Sequence, residues 1–396
     1  MSSRSSAWAP VVDDSRRRAL TAAERERYAR NVLVPEVGMA GQERIRAARV
    51  LLVGAGALGS PAALYLAAAG VGTLGIIDPD VVEVSNLQRQ VLHTTDAAGR
   101  AKTDSARAAL AALNPDVELV TVPERVTSAN ALTLLEGWDV VVDGTDNFPT
   151  RYLLGDATVL LGVPLVHGSV LRSHGQVSVF DAAHGPCYRC LHPEPPPPGS
   201  VPSCAEAGVL GVLPGIIGSM QATEVLKLVV GGARPLIGRL LVLDAWGARV
   251  DELTVARNPD CPVCGRRPSI TRASGLIDYA TWCALPPAPD GEDGEGAVSR
   301  VSAAELREQI ETGTAPAVLD VREDVEVELR AFASARHISL GEVVERLGEL
   351  DPARPTVVLC AAGVRSLRAI EALRAAGYPG ELINLEGGLR SWDALG

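Results

Sequence analysis

Five cysteines carry the most chemistry in this chain by type and spacing: Cys187-x-x-Cys190, Cys261-x-x-Cys264 and, further on, Cys360. A Cys-x-x-Cys turn delivers two thiolates to one metal, and two such turns fill the four tetrahedral positions zinc prefers. The expected ion is a structural Zn²⁺ with no open position, and the flanking His184 and His192 are not needed as ligands. A redox pair is the competing reading, and the presence of two pairs disfavours it. Cys360 ends the apolar run Val357–Leu359 and opens Ala361-Ala-Gly-Val-Arg365-Ser366 and a helix. Backbone N–H groups in such a turn, with the positive helix end, stabilise an anionic sulfur. Arg365 adds a formal positive charge. A phosphatase loop would need Cys-x5-Arg to enclose a phosphate, and here only four residues separate Cys360 from Arg365. Cys204 follows the proline-rich Pro193–Gly199 stretch and belongs to neither pair. Cys283 reads as structural.

A second constellation lies upstream. Gly54-Ala-Gly56-Ala57-Leu-Gly59 follows an apolar strand and opens a helix, the arrangement in which backbone N–H groups meet phosphates. Asp78 ends the next strand, where a carboxylate accepts ribose hydroxyls. A dinucleotide oxidoreductase would use those features alone. It has no need of the set that follows: Asp80, Ser85-Asn86-Leu87-Gln88-Arg89, Lys102, and Thr145-Asp146-Asn147. An enzyme splitting ATP between its α and β phosphates does need cations against the leaving pyrophosphate and a carboxylate for Mg²⁺. Any one of these charges alone would read as a solvated surface group. Lys102 stands out further, because only it and Lys227 are lysines among 37 basic residues.

The elements that must position these residues alternate. Strands are expected at Val50–Val53, Leu74–Ile77, Asp139–Val142 and Pro164–Val166, with helices near Ala22–Val32 and Ser60–Ala69. This α/β pattern implies a mostly parallel, Rossmann-like sheet with nucleotide at the carboxyl ends of its strands. Residues 1–20, Ser/Arg-rich without apolar period, are expected to be disordered, and Pro193–Gly199 to be an extended loop. The polar, turn-rich Pro286–Gly296 reads as a linker, followed by strands at Ala317–Leu319 and Thr356–Leu359 in a second domain. The expected domains are 21–270 and 298–396, joined by a linker over 271–297.

Bulk properties exclude some classes. A net charge of −11 argues against non-specific nucleic-acid binding. No apolar run is expected to span a membrane, and Met1-Ser-Ser-Arg4 does not begin a signal peptide. Seven cysteines with two tight pairs point to a reducing compartment, so a cytoplasmic location is expected.

Residues from about 25 to 270 resemble the MoeB/ThiF group of ubiquitin-activating-type adenylyltransferases. The resemblance rests on Arg27-Tyr-Ala-Arg30, Gly54–Gly59, Asp78-x-Asp80, Ser85–Arg89, Lys102, Thr145–Asn147 and the four paired cysteines. It implies that Gly56 and Ala57 approach ATP through backbone and that Asp78 binds ribose. It places Asn86, Arg89 and Lys102 at the phosphates and Asp146 at Mg²⁺. Arg30 resembles an arginine that enters the neighbouring subunit's site, which implies a homodimer. Related enzymes have a loop cysteine beside the adenylate, and Cys204 at that place implies a resolving thiol that attacks a mixed disulfide. The implied partner is a ubiquitin-fold sulfur carrier ending in Gly-Gly.

Residues 301–396 resemble a single-domain rhodanese, with matches at Asp320-Val-Arg-Glu323, His337-Ile-Ser-Leu340 and Leu385-Glu-Gly-Gly-Leu389. That implies a persulfide on Cys360, charged by a cysteine desulfurase or another sulfur donor. Ala361 departs from the arginine many relatives have there. The whole resembles the MoeZ-like fusion of the two domains. The expected activity is adenylation of the carrier's terminal glycine, then sulfur transfer to give a thiocarboxylate. Two alternatives remain open at this point: adenylation with the rhodanese domain as a docking module, and thioester-forming protein conjugation.

Overall fold

The computed structural model describes residues 8–197, 201, 207–284, 298–333 and 335–395. Cys204 and residues 285–297 of the expected linker lie outside the described residues. The chain divides into two compact units.

In the first unit eight strands form one sheet: β1 (Arg49–Val53), β2 (Thr73–Ile77), β3 (Glu118–Val122), β4 (Val140–Asp143), β5 (Leu165–Leu171), β6 (His174–Phe180), β7 (Arg239–Asp244) and β8 (Arg249–Thr254). Their order is β3-β2-β1-β4-β5-β6-β7-β8. β1 to β5 pair in parallel, and from β5 onward neighbours run antiparallel. The expected mostly parallel sheet is therefore extended by three antiparallel strands. The polar/apolar alternation Gln176-Val-Ser-Val179 could have announced the first of them.

Continuous apolar runs form the central strands because helices cover both faces. Val50 and Leu52 face one core with Leu66, Leu110 and Val225; Leu51 and Val53 face the other with Leu135 and Tyr152. The first face is covered by α4 (Gly59–Ala69), α5 (Lys102–Leu113) and α9 (Val212–Val230), the second by α6 (Ala131–Leu135) and α7 (Phe148–Leu161). The unit also holds α1 (Ala22–Arg27), α2 (Ala29–Val32), α3 (Gly38–Ala47), α8 (Tyr188–Leu191) and α10 (Tyr279–Ala284). By length and composition α9 could cross a membrane, contrary to expectation. Its apolar residues Ile217, Val225, Leu228 and Val229 are instead fully buried in the protein core.

Two boundaries shift. Residues 8–20 are ordered: Val12 is fully buried, Val11 N donates to Leu228 O at 2.9 Å, and Gly232 N donates to Trp8 O at 2.8 Å. An extended apolar segment laid along the end of α9 has no helical period, so the sequence reading missed it. Residues 271–284, expected in the linker, belong to the first unit. Tyr279 is buried and its hydroxyl donates to Asp156 at 2.6 Å.

The second unit is a five-stranded parallel sheet of order β11-β10-β12-β13-β9. Its strands are β9 (Ser299–Val301), β10 (Ala317–Asp320), β11 (Ala335–His337), β12 (Thr356–Leu359) and β13 (Leu382–Leu385). Its helices are α11 (Ala303–Glu311), α12 (Asp324–Leu329), α13 (Val364–Ala375) and α14 (Gly388–Asp393). Leu319 and Val358 face one core, Val318 and Val357 the other.

Candidate active site

The strand order 3-2-1-4-5 reverses between β1 and β4, and a ligand cleft belongs at the carboxyl ends of strands at such a point. A cleft is there, lined by Gly54, Gly56, Ala57, Asp78, Asp80, Arg89, Lys102, Asp146 and Asn147 among the expected residues. The glycine turn leaves β1 and enters α4 so tightly that a Cβ on Gly59 would lie 1.9 Å from Gly54 O. Gly59 therefore shapes the turn and does not line the cleft. Asp78, 4% exposed, spends one oxygen on Ala55 N at 2.7 Å and the other on Asp80 N at 2.9 Å. Burial raises its pKa above the ordinary carboxylate value, while Lys102 and these N–H groups oppose the shift. Lys102 Nζ stands 3.1 Å from Asp80 Oδ2, and Asp146 is exposed.

Ser85, Asn86, Leu87 and Gln88 do not line the cleft. Ser85 and Asn86 instead hold Arg89. Asn86 Oδ1 accepts from Arg89 Nη2 at 2.5 Å, and Ser85 O accepts from Arg89 Nη1 at 3.3 Å. Gln88 closes against Gly211, where a Cβ would come within 2.4 Å of Gln88 O. Arg30 is exposed on α2, outside the lining.

Sequence reasoning missed Gln90, Arg125, Thr150 and Arg151, which also line the cleft. Arg151 Nη2 donates to Thr145 O at 3.1 Å. It stands one helical turn beyond Asn147, a spacing that could have signalled it. Beneath the cleft, Asp143 is fully buried and accepts from Thr145 N at 3.0 Å and Thr145 Oγ1 at 2.6 Å. His167 Nδ1 donates to its other oxygen at 2.9 Å. Burial alone would raise the pKa of Asp143, but the His167 and Thr145 hydrogen bonds bring it below the ordinary value. The loop that carries Asp146 is thus anchored on a buried carboxylate. Asn147 Oδ1 caps α7 by accepting from Thr150 N at 3.0 Å.

The four paired cysteines converge. Sγ separations are 3.8 Å for Cys187–Cys190, 3.5 Å for Cys187–Cys261 and 3.4 Å for Cys190–Cys264. All four sulfurs lie within 4.8 Å of one another. Zn–S bonds of about 2.3 Å in a tetrahedron require sulfurs about 3.8 Å apart, so this set fits zinc.

In the second unit Cys360 lies between β12 and α13, 1% exposed. Its Sγ accepts from Gly363 N at 3.1 Å and lies 3.5 Å from Ser366 Oγ, which donates to Asn384 Oδ1 at 2.6 Å. The Leu385–Leu389 segment clamps the loop from below: Leu389 N donates to Cys360 O at 2.9 Å and Arg390 N to Ala361 O at 3.1 Å. The Asp320-Val-Arg322 motif is a buried ion pair, 2.6 Å at its closest, that braces α12. Arg365 differs from expectation. It forms two hydrogen bonds to Glu326, of 2.6 and 2.8 Å, so its charge is met by a carboxylate.

The comparisons agree with this division. The ThiF family model matches residues 28–263 and the rhodanese-like domain model residues 302–395. A Mycobacterium tuberculosis protein named "Probable adenylyltransferase/sulfurtransferase MoeZ" is 42% identical over 97% of this chain and 96% of its own length. The mouse (Mus musculus) "Adenylyltransferase and sulfurtransferase MOCS3" is 42% identical over 96% of this chain and 87% of its own length. The Thermus thermophilus "Sulfur carrier protein adenylyltransferase" is 53% identical over 67% of this chain and 98% of its own length. The crystal structure of E. coli MccB with MccA-N7isoASN superposes with a TM-score of 0.56 at 21% identity, over 61% of this chain and 75% of that one. That likeness shows the fold alone. The chain belongs to the ThiF family and joins to it a rhodanese-like domain, the two-part organisation of the adenylyltransferase/sulfurtransferases.

Proposed function

We propose that this enzyme adenylates the C-terminal glycine of a ubiquitin-fold sulfur carrier and then replaces the adenylate with sulfur carried on Cys360. The observation that carries the reading is the meeting of Gly54, Gly56, Ala57, Asp78, Arg89, Lys102 and Asp146 in one cleft. In the first step a carrier carboxylate oxygen attacks the α-phosphorus of ATP, and the bond to the β-phosphate breaks. The carboxylate needs no base, only placement and charge stabilisation. Backbone N–H groups of Gly56 and Ala57 hold phosphate, and Asp78 holds ribose. Arg89 and Lys102 offset the charge of the departing pyrophosphate. Mg²⁺ held by Asp146 would neutralise phosphate charge when bound.

In the second step the outer sulfur of a Cys360 persulfide, about 2.0 Å beyond Sγ, attacks the acyl carbon and AMP leaves. Cys204 then attacks Cys360 Sγ in the acyl disulfide. This releases the carrier thiocarboxylate and leaves a Cys204–Cys360 disulfide for a reductant to clear. Zn²⁺ on the four cysteines would brace the first unit without taking part in chemistry.

A cytoplasmic homodimer completes the proposal. Exposed Leu33 and Val34 beside Arg30 support it, as does an apolar groove between α4 and α9 lined by Tyr65, Val91, Val212 and Ile216. Carrier-dependent ATP–pyrophosphate exchange tests the first step. Lys102→Ala is expected to lower it about 100-fold or more, and exchange unchanged by that substitution contradicts the assignment.

A further inference from the structure

His93 is buried at the edge of the cleft without lining it, and both its ring nitrogens are engaged. Nε2 lies 2.9 Å from Ala55 O and Nδ1 lies 2.9 Å from Ser105 Oγ. A carbonyl oxygen only accepts, so Nε2 carries the proton; in the neutral ring Nδ1 then accepts from the Ser105 hydroxyl. Burial lowers the imidazole pKa. The Ala55 carbonyl and Asp78 oppose that shift, and the charge of Lys102 reinforces it.

Ala55 is the second residue of the glycine turn, and its N–H is already fixed by Asp78. Ser105 lies on α5 one turn after Lys102, whose ammonium meets Asp80, while Asp80 N donates to Asp78. The hydrogen bonds therefore close a ring: Lys102, Asp80, Asp78, Ala55, His93, Ser105 and back through α5. With its N–H held by Asp78 and its own carbonyl by His93 and, at 3.3 Å, by Ser60 Oγ, Ala55 has one orientation. That orientation aims the following Gly56 and Ala57 N–H groups.

We propose that His93 is a positioning residue for ATP, locking the glycine turn to the helix that supplies Lys102. The inference rests on the reading of this cleft as the ATP site. Removing the bridge relaxes the turn in the free enzyme, so it weakens ATP binding more than it slows the chemical step.

The test uses the full-length enzyme with a Gly-Gly carrier and Mg·ATP, measuring ATP binding by calorimetry and steady-state pyrophosphate release. His93→Phe keeps a ring and loses both hydrogen bonds. It is expected to raise the KM for ATP about tenfold, the value of one hydrogen bond. Its kcat should stay within about threefold and the carrier KM should not move. His93→Gln retains a donor for Ala55 O and should restore most of the ATP affinity. Ser105→Ala, a milder change should His93→Phe fail to fold, should raise the KM for ATP with kcat retained. An unchanged KM for ATP in His93→Phe, or in Ser105→Ala if the former is insoluble, overturns the inference. So does a fall in kcat without a rise in KM. Wild type that binds no ATP would instead remove the reading of the cleft, and the inference with it.

Discussion

Arg189, set between the two cysteines of the first zinc-type turn, is locked to Asp156 on α7 by three hydrogen bonds of 2.8, 3.0 and 2.8 Å. Both side chains are buried, at 3% and 1% exposure. The guanidinium also lies 4.3 Å over the Trp282 ring and 5.1 Å over Tyr152, and Tyr279 donates to the same carboxylate. One arginine thus joins the cysteine cluster, α7 and α10. Because α7 starts at the Asn147 cap, this assembly also backs the loop that presents Asp146.

Removing one partner of a buried ion pair leaves the other charge without compensation, at about 3–5 kcal/mol. Arg189→Ala is therefore expected to destabilise the first unit by about that amount and to reduce bound zinc per chain. Denaturant unfolding followed with metal analysis checks both. A change below about 1 kcal/mol would mean that the pair contributes no more than a surface bridge.

The sulfur loop depends on a close backbone approach. Gly388 has φ +59°, and a Cβ there would lie 2.3 Å from Cys360 O and 2.7 Å from both Ala362 N and Gly363 N. Backbone cannot yield as a flexible side chain can. Gly388→Ala is expected to displace the Cys360 turn and lower thiosulfate:cyanide sulfurtransfer at least about tenfold, while pyrophosphate release stays at the wild-type rate. Equal loss of both activities would indicate general misfolding.

Much of this site was legible because its parts are local. Gly54–Gly59 and Asp78 each sit where an apolar run ends in a turn, and Lys102 opens a helix just after the Gly99 turn, so type and spacing specify geometry. The cysteine pairs were legible for the same reason. His93 and His167 were not, because each acts through a residue distant in sequence and carries no local pattern beyond its own type. Arg365 shows the same limit from the other side. Its position in the loop was evident, but its pairing with Glu326, 39 residues away, is a product of the fold. Trp8–Val12 was misread as disordered because burial of an extended segment against α9 leaves no period to detect.

Acid should act through His93. Its folded-state pKa lies below the unfolded value of about 6.5, with burial as the main cause. Its contribution to stability is therefore fully present above about pH 6.5 and is lost as pH falls through the folded value. The melting temperature of wild type should drop more steeply from pH 7 to pH 5 than that of His93→Gln. Parallel profiles for the two proteins would show that His93 takes up no proton on unfolding.

In the proposed reaction one chain both activates a carrier and delivers sulfur to it. The direct measurement is the intact mass of a Gly-Gly carrier after incubation with this enzyme, Mg·ATP and thiosulfate, for wild type and Cys360→Ala. The carrier is expected to gain about 16 Da, one oxygen exchanged for sulfur by attack on the acyl adenylate. That gain should vanish in Cys360→Ala while pyrophosphate release persists. A mass gain that survives Cys360→Ala, or no pyrophosphate release from wild type with any Gly-Gly carrier, would contradict it.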